Sequence, residues 1–167
     1  MADSLDSASS GAAAPAGMAP ARADVPDTQL PSAAKPAPRR AGDLSPPHAW
    51  SLIQTGQAVL VDVRTEEELA LVGRVPGAIH VPWAHGVDMT PNQEFIRELA
   101  AVAPPELPLL FLCRSGKRSE RAADAASLAG WARAFNVLEG FEGEIDDAGR
   151  RGKVDGWRFH GLPWEQD

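Results

Sequence analysis

Leu109-Leu110-Phe111-Leu112-Cys113-Arg114-Ser115-Gly116-Lys117-Arg118-Ser119 runs from an all-apolar stretch into a short basic loop that contains one glycine. Four consecutive apolar residues ending in a turn predict a strand buried on both faces, as in a parallel sheet. The Ala-rich segment beyond it, Ser119 to Gly130, predicts a helix whose small residues pack closely on that sheet, with Gly130 suited to its C-terminal cap. A strand feeding a helix through such a loop aims backbone N–H groups and the positive helix end at one point. Cys113, the only cysteine among 167 residues, stands at that point.

The surroundings suit a thiolate that attacks or holds an anion. Free cysteine has a pKa near about 8.5, and helix N-termini or neighbouring Arg and Lys lower it. Arg114, Lys117 and Arg118 concentrate positive charge in a chain of formal net charge −7, so the loop attracts a small anion that the remaining surface repels. A cysteine serving only as a small buried hydrophobe gains nothing from three cations and a glycine within five residues. Individually, those cations also read as an ordinary solvated turn.

Working outward, Ala58-Val59-Leu60-Val61-Asp62-Val63 predicts a second buried strand. Ser45-Pro46-Pro47 opens a helix that continues to about Gln54, and Thr65 caps another through Leu71, with Glu66, Glu67 and Glu68 favourable in its first turn. Gly73 to Gly77 turns into a strand over 78–81. Residues 91–102 carry a helical stripe at Phe95, Ile96, Leu99 and Ala100, stopped by Pro104 and Pro105, and a last strand runs over 134–138. Strands alternating with helices predict an α/β fold: a three-layer domain with a central, mostly parallel sheet flanked by helices, and reactive loops beyond the carboxyl ends of its strands.

The composition, 44% hydrophobic, supports one domain over residues 44–167. Residues 1–43, rich in Ala, Pro, Ser and Gly, read as a disordered tail, alternatively a docking arm acting through Lys35, Arg39 and Arg40. A lone cysteine excludes an internal disulfide framework and a resolving thiol, so an external nucleophile must relieve any adduct on Cys113. It also fits a reducing compartment, with the cytoplasm as the expected location. The acidic balance argues against nucleic-acid and anionic-membrane partners. No stretch approaches the ~20 apolar residues of a spanning helix, and the acidic start lacks a signal-like apolar core. His48, His80, His85 and His160 are scattered without metal spacing, so neither a metal nor another cofactor is expected, and His80 reads as a packed strand residue.

Several ordered motifs carry a resemblance. Asp62-Val63-Arg64 with Glu68 looks like D-x-R-x-x-x-E; Gly73-Arg74-Val75-Pro76-Gly77-Ala78 like G-H-I-P-G-A; Cys113 to Ser119 like C-x-x-G-x-[RT]-S; Leu138-Glu139-Gly140 like L-x-G-G; and Trp157 through Gly161-Leu162-Pro163 like W-x-x-x-G-L-P. In this order and spacing, residues 45–167 resemble a single-domain rhodanese, a sulfurtransferase. The resemblance implies that Cys113 accepts a sulfur and becomes a persulfide, cradled by backbone N–H groups from Arg114, Ser115, Gly116, Lys117, Arg118 and Ser119. It also implies that the Arg118 side chain helps hold an anionic donor such as thiosulfate, and that cyanide or a thiol then takes the outer sulfur. Asp62 and Arg64 are supporting candidates, read more as a pair tying a strand end to nearby loops than as part of the chemistry, with Glu68 sharing that role.

The chain departs from the family pattern at Arg74, where a histidine is usual, and at Phe141, where the second glycine would stand. An insertion over residues 143–156 also precedes Trp157. Trp157, Phe159, Pro163 and Trp164 read as pins for the chain end, alternatively as an acceptor surface. Two other functions remain open. A cysteine phosphatase or arsenate reductase needs C-x5-R, which would put arginine where Ser119 stands. A protein-to-protein sulfur relay or an interaction module would use the tail or the aromatic C-terminus.

Overall fold

The computed structural model describes residues 39–166. A five-stranded parallel sheet has the order β1-β7-β6-β2-β3, formed by β1 (Gly42–Leu44), β2 (Val59–Asp62), β3 (Ile79–His80), β6 (Leu109–Leu112) and β7 (Ala134–Val137). Helices α1 (Pro46–Gln54), α2 (Glu66–Val72), α3 (Phe95–Val102) and α4 (Lys117–Leu128) lie between the strands in sequence, and β4 (Ala84–His85) pairs with β5 (Thr90–Pro91) in a separate small hairpin. This is the α/β, mostly parallel architecture that the strand and helix pattern predicts.

The alternation of β6 divides the core. Leu109 and Phe111 join Val61, Val63, Phe95 and Leu99 with the small residues Ala122, Ala123 and Ala126 of α4 on one face of the sheet. Leu110 and Leu112 face the other side, with Ala49 of α1, Val137, Phe141 and Trp157. All four residues of β6 are completely buried, which is why its sequence shows no polar alternation. Cys113 continues the first face and is itself buried.

Two boundaries differ from the sequence expectation. Of the stretch read as a tail, residues 1–38 lie outside the described residues, whereas Gly42 to Leu44 form edge strand β1 in register with Phe135, Asn136 and Val137. Arg40, offered as a docking cation, is instead held by Asp43, Glu120 and Asp124 of the fold. A three-residue edge strand behind a run of prolines has too little periodicity to be legible. Helix α4 starts at Lys117 rather than Ser119, because Gly116 takes the left-handed conformation (φ 89°) and ends the loop there.

The C-terminal segment closes the second face. Trp157 is fully buried, its ring meets Trp50 edge-on at 5.9 Å between centroids, and its Nε1–H donates to the carbonyl of Pro163 at 2.8 Å. It pins the chain end. Replacing it with alanine opens a large cavity, and Trp157→Ala is expected to cost about 3–5 kcal/mol in urea unfolding; a cost below about 1 kcal/mol would show that this end contributes little to the fold.

Candidate active site around Cys113

Strand β6 delivers Cys113 to the carboxyl edge of the sheet, and the loop reverses within three residues into α4. Sγ lies 3.2 Å from the N–H of Gly116 and 3.2 Å from Oγ of Ser119, one turn into the helix. Of the expected cradle, Gly116 supplies a backbone donor to the sulfur and Ser119 a side-chain hydroxyl. Among the described hydrogen bonds to Sγ, none comes from Arg114, Ser115 or Lys117. Lys117 is exposed and pairs with Glu144 at 3.5 Å.

The loop is clamped from behind by the turn after β7. The N–H of Phe141 donates to the Cys113 carbonyl at 2.7 Å, and those of Glu142 and Gly143 donate to the Arg114 carbonyl at 3.0 and 3.2 Å. Gly140 fits because it has no side chain: a Cβ there would lie 2.5 Å from the backbone of Cys113, Arg114 and Ser115, and its φ of 68° also favours glycine. Phe141, the departure from the second family glycine, is core: it is fully buried, with the Arg64 guanidinium 3.9 Å from its ring centroid.

Arg64 and Asp62 pair with each other. The Arg64 guanidinium meets Asp62 at 2.6–3.1 Å and donates to the carbonyl of Gly73 at 2.9 Å, both residues being buried. His80 packs likewise, its Nε2 being 2.8 Å from the Arg64 carbonyl. Glu68, read as sharing a positional role, has its own partners. Its side chain receives both terminal nitrogens of Arg118, at 2.7 and 2.6 Å, while closing a capping box with Thr65. Arg118, assigned by resemblance to the donor anion, thus carries a bidentate carboxylate, a contact 50 positions away that no local pattern announces.

Burial opposes the charge on each partner, but their mutual hydrogen bonds and attraction outweigh it. The Glu68 carboxyl is held below its usual range, with help from the Thr65 N–H and the charge of Arg114, and Arg118 is held above its own.

In front of the loop lies a cavity of about 360 Å³ lined by Trp83, Ala84, Met89, Pro91, Arg114, Arg118 and Arg121. Trp83 before the hairpin, Met89 within it and Arg121 on α4 carry no motif in the sequence that marks them as part of a site. Nε of Arg114 is buried without a hydrogen-bond partner. An apolar wall facing three guanidinium groups suits an anion with a nonpolar part.

The family model described as the rhodanese-like domain matches residues 45–144. The chain belongs to the rhodanese-like domain family. This rhodanese-like chain is 46% identical to Rv0390 from M. tuberculosis, whose crystal structure it overlays with a TM-score of 0.71 over 77% of its own length and 99% of that chain. It is 33% identical to an uncharacterised protein of Rickettsia prowazekii over 68% of its length and 88% of that relative. It is 34% identical to a human thiosulfate:glutathione sulfurtransferase, spanning 56% of its own length and 84% of the human protein.

The Glu68–Arg118 pair makes a pH-dependent contribution to this site. Because the folded-state carboxyl lies below the ordinary value of 4.5, its stabilisation is complete above that pH and is lost as the pH falls through the lowered value. The stability difference between wild type and Glu68→Gln, read from urea midpoints, is therefore expected to be constant near neutrality and to shrink below pH 4.5. A difference that grew on acidification would reverse the assignment.

Proposed function

We propose that the chain is a sulfurtransferase that carries sulfane sulfur on Cys113 as a persulfide. The observation that carries this reading is the placement of Sγ at a strand-to-helix turn, with the Gly116 N–H and the Ser119 hydroxyl at 3.2 Å, in a loop whose Arg114 and Arg118 line a cavity with Arg121. The Gly116 N–H, a donor fixed before reaction, stabilises sulfur-centred negative charge without reorganising.

The reaction balances in two displacements. The Cys113 thiolate attacks the outer sulfur of thiosulfate; the new S–S bond forms on Sγ as the old one breaks, and its electron pair leaves with sulfite. The outer sulfur, now bearing the negative charge, is then taken by cyanide as thiocyanate or by a thiol as a new persulfide, which returns Cys113 to the thiolate. No external oxidant or reductant is consumed. With no second cysteine in the chain, the acceptor comes from outside.

Arg114, Arg121 and the Glu68-bound Arg118 supply the positive field for the donor, with the apolar wall of Trp83, Met89 and Pro91 beside it. Among the described residues no helix is long and apolar enough to cross a membrane, and a thiol kept reduced suits a cytoplasmic setting. The oxyanion-phosphatase alternative is disfavoured by position 119, where the residue facing Sγ is a serine and the neighbouring guanidinium at 118 is turned to Glu68.

Thiosulfate:cyanide turnover, followed by thiocyanate release, tests the reading. The wild type is expected to turn over and Cys113→Ser to lose activity to background. A wild type inactive with thiosulfate but active on an aryl phosphate would overturn it.

A further inference from the structure

From Cys113 an unbroken line of polar contacts runs past β7 to the β1 edge of the sheet. Oγ of Ser119 is 3.2 Å from Sγ and 2.7 Å from Oδ1 of Asn136; Nδ2 of Asn136 is 3.1 Å from Oδ1 of Asp43; and Asp43 receives Nε of Arg40 at 2.8 Å. Cys113, Ser119 and Asn136 are all buried. Asn136 is the polar exception in β7, set between Phe111 of β6 and Asp43 of β1 at a position where an aliphatic residue would normally pack. Nothing in the sulfur-transfer steps requires it.

Hydrogen-bond accounting fixes the direction of the chain. Asp43 is ionised, its carboxyl held low chiefly by the hydrogen bond from Arg40 and further by Asn136, so it can only accept. Asn136 must therefore turn its NH2 toward Asp43 and its carbonyl oxygen toward Ser119. The Ser119 hydroxyl has one proton and two claimants, that oxygen at 2.7 Å and the sulfur at 3.2 Å. With the proton on Asn136, Ser119 presents a lone pair to Sγ and accepts from the thiol S–H. To solvate a thiolate, the hydroxyl must turn away from Asn136 and break its shorter bond.

We propose that Asn136, held by Asp43, is a positioning residue that sets where the Ser119 proton points and so how readily Cys113 ionises. Competition from Asn136 makes the bare thiolate less comfortable. A persulfide, whose charge sits on the outer sulfur, needs no donor at Sγ and leaves the Ser119–Asn136 bond intact. The relay accordingly favours the loaded form over the unloaded thiolate, a consequence that rests on the sulfurtransferase reading, whereas the effect on Cys113 itself does not.

The test reads the single thiol directly. The rate of alkylation of Cys113 by iodoacetamide is followed against pH in the full chain, where no other cysteine reacts. Asn136→Leu removes the competing acceptor and frees the hydroxyl for the sulfur, and the midpoint of the profile is expected to move about one pH unit lower. Asp43→Asn, at the exposed edge, offers its oxygen to Arg40 and its NH2 to Asn136. The Asn136 amide can then turn over and push the Ser119 proton toward Sγ, giving a shift in the same direction even if Asn136→Leu fails to fold.

Apart from Asp43 itself, neither variant changes a charged group facing the loop: Arg114, Lys117, Arg118 and Glu120, Asp62 at the end of β2 with Arg64 just beyond it, Glu68 from α2, Arg40 before β1, and Glu139 after β7. In a Ser119→Ala background the shifts are expected to vanish, which separates the relay from a through-space effect of the charge lost at Asp43. Profiles that do not move in either variant, or that move equally without the Ser119 hydroxyl, would overturn the proposal.

Discussion

The reactive loop keeps its shape because backbone lies directly on backbone. Gly140 brings the turn after β7 within 2.5 Å, measured from where a Cβ would stand, of the chain at Cys113, Arg114 and Ser115, and the N–H groups of residues 141–143 fill the carbonyls of Cys113 and Arg114. Those carbonyls would otherwise be exposed at a sheet edge and free to pull the loop toward solvent. With them satisfied from behind, the Gly116 N–H points inward at the sulfur, and Gly116 can adopt the left-handed turn that starts α4. Both layers of the core support the arrangement, because β6 is buried on its two faces and Phe141, next to the critical glycine, packs under Arg64.

Charge is arranged around this rigid point in two tiers. The inner tier, Asp62–Arg64 and Glu68–Arg118, consists of largely buried bidentate pairs whose carboxylates fix guanidinium groups beside the loop. Such pairs contribute position more than stability, since the cost of desolvating them offsets most of their attraction. The outer tier, Arg114 and Arg121 together with Arg118, lines the cavity of an otherwise acidic chain, where the proposed anionic donor would enter. Arg118 belongs to both tiers, held by Glu68 while it lines the cavity.

Much of this was legible in the sequence, for identifiable reasons. The buried strands β2 and β6 announce themselves as apolar runs, α2 through its capping Thr65, and the Cys113 loop through a glycine and cations at fixed spacing. Asp62 and Arg64 lie two residues apart, so their pairing is local enough to foresee. What escaped is non-local or short. Glu68 meets Arg118 across 50 positions, β1 and the β4–β5 hairpin have two or three residues per strand, and Asn136 showed only as one polar residue in a short strand. Phe141, a mismatch to the family pattern, became intelligible only once its ring was seen against Arg64.

On the proposed reading, Cys113, held at this turn, stores sulfur. Intact-mass measurement of the protein after incubation with thiosulfate tests it most directly. One added sulfur atom is expected, mapped to the Cys113 peptide and discharged on adding cyanide. A chain that gains no mass with thiosulfate or with a persulfide donor, while its thiol still alkylates, would contradict it.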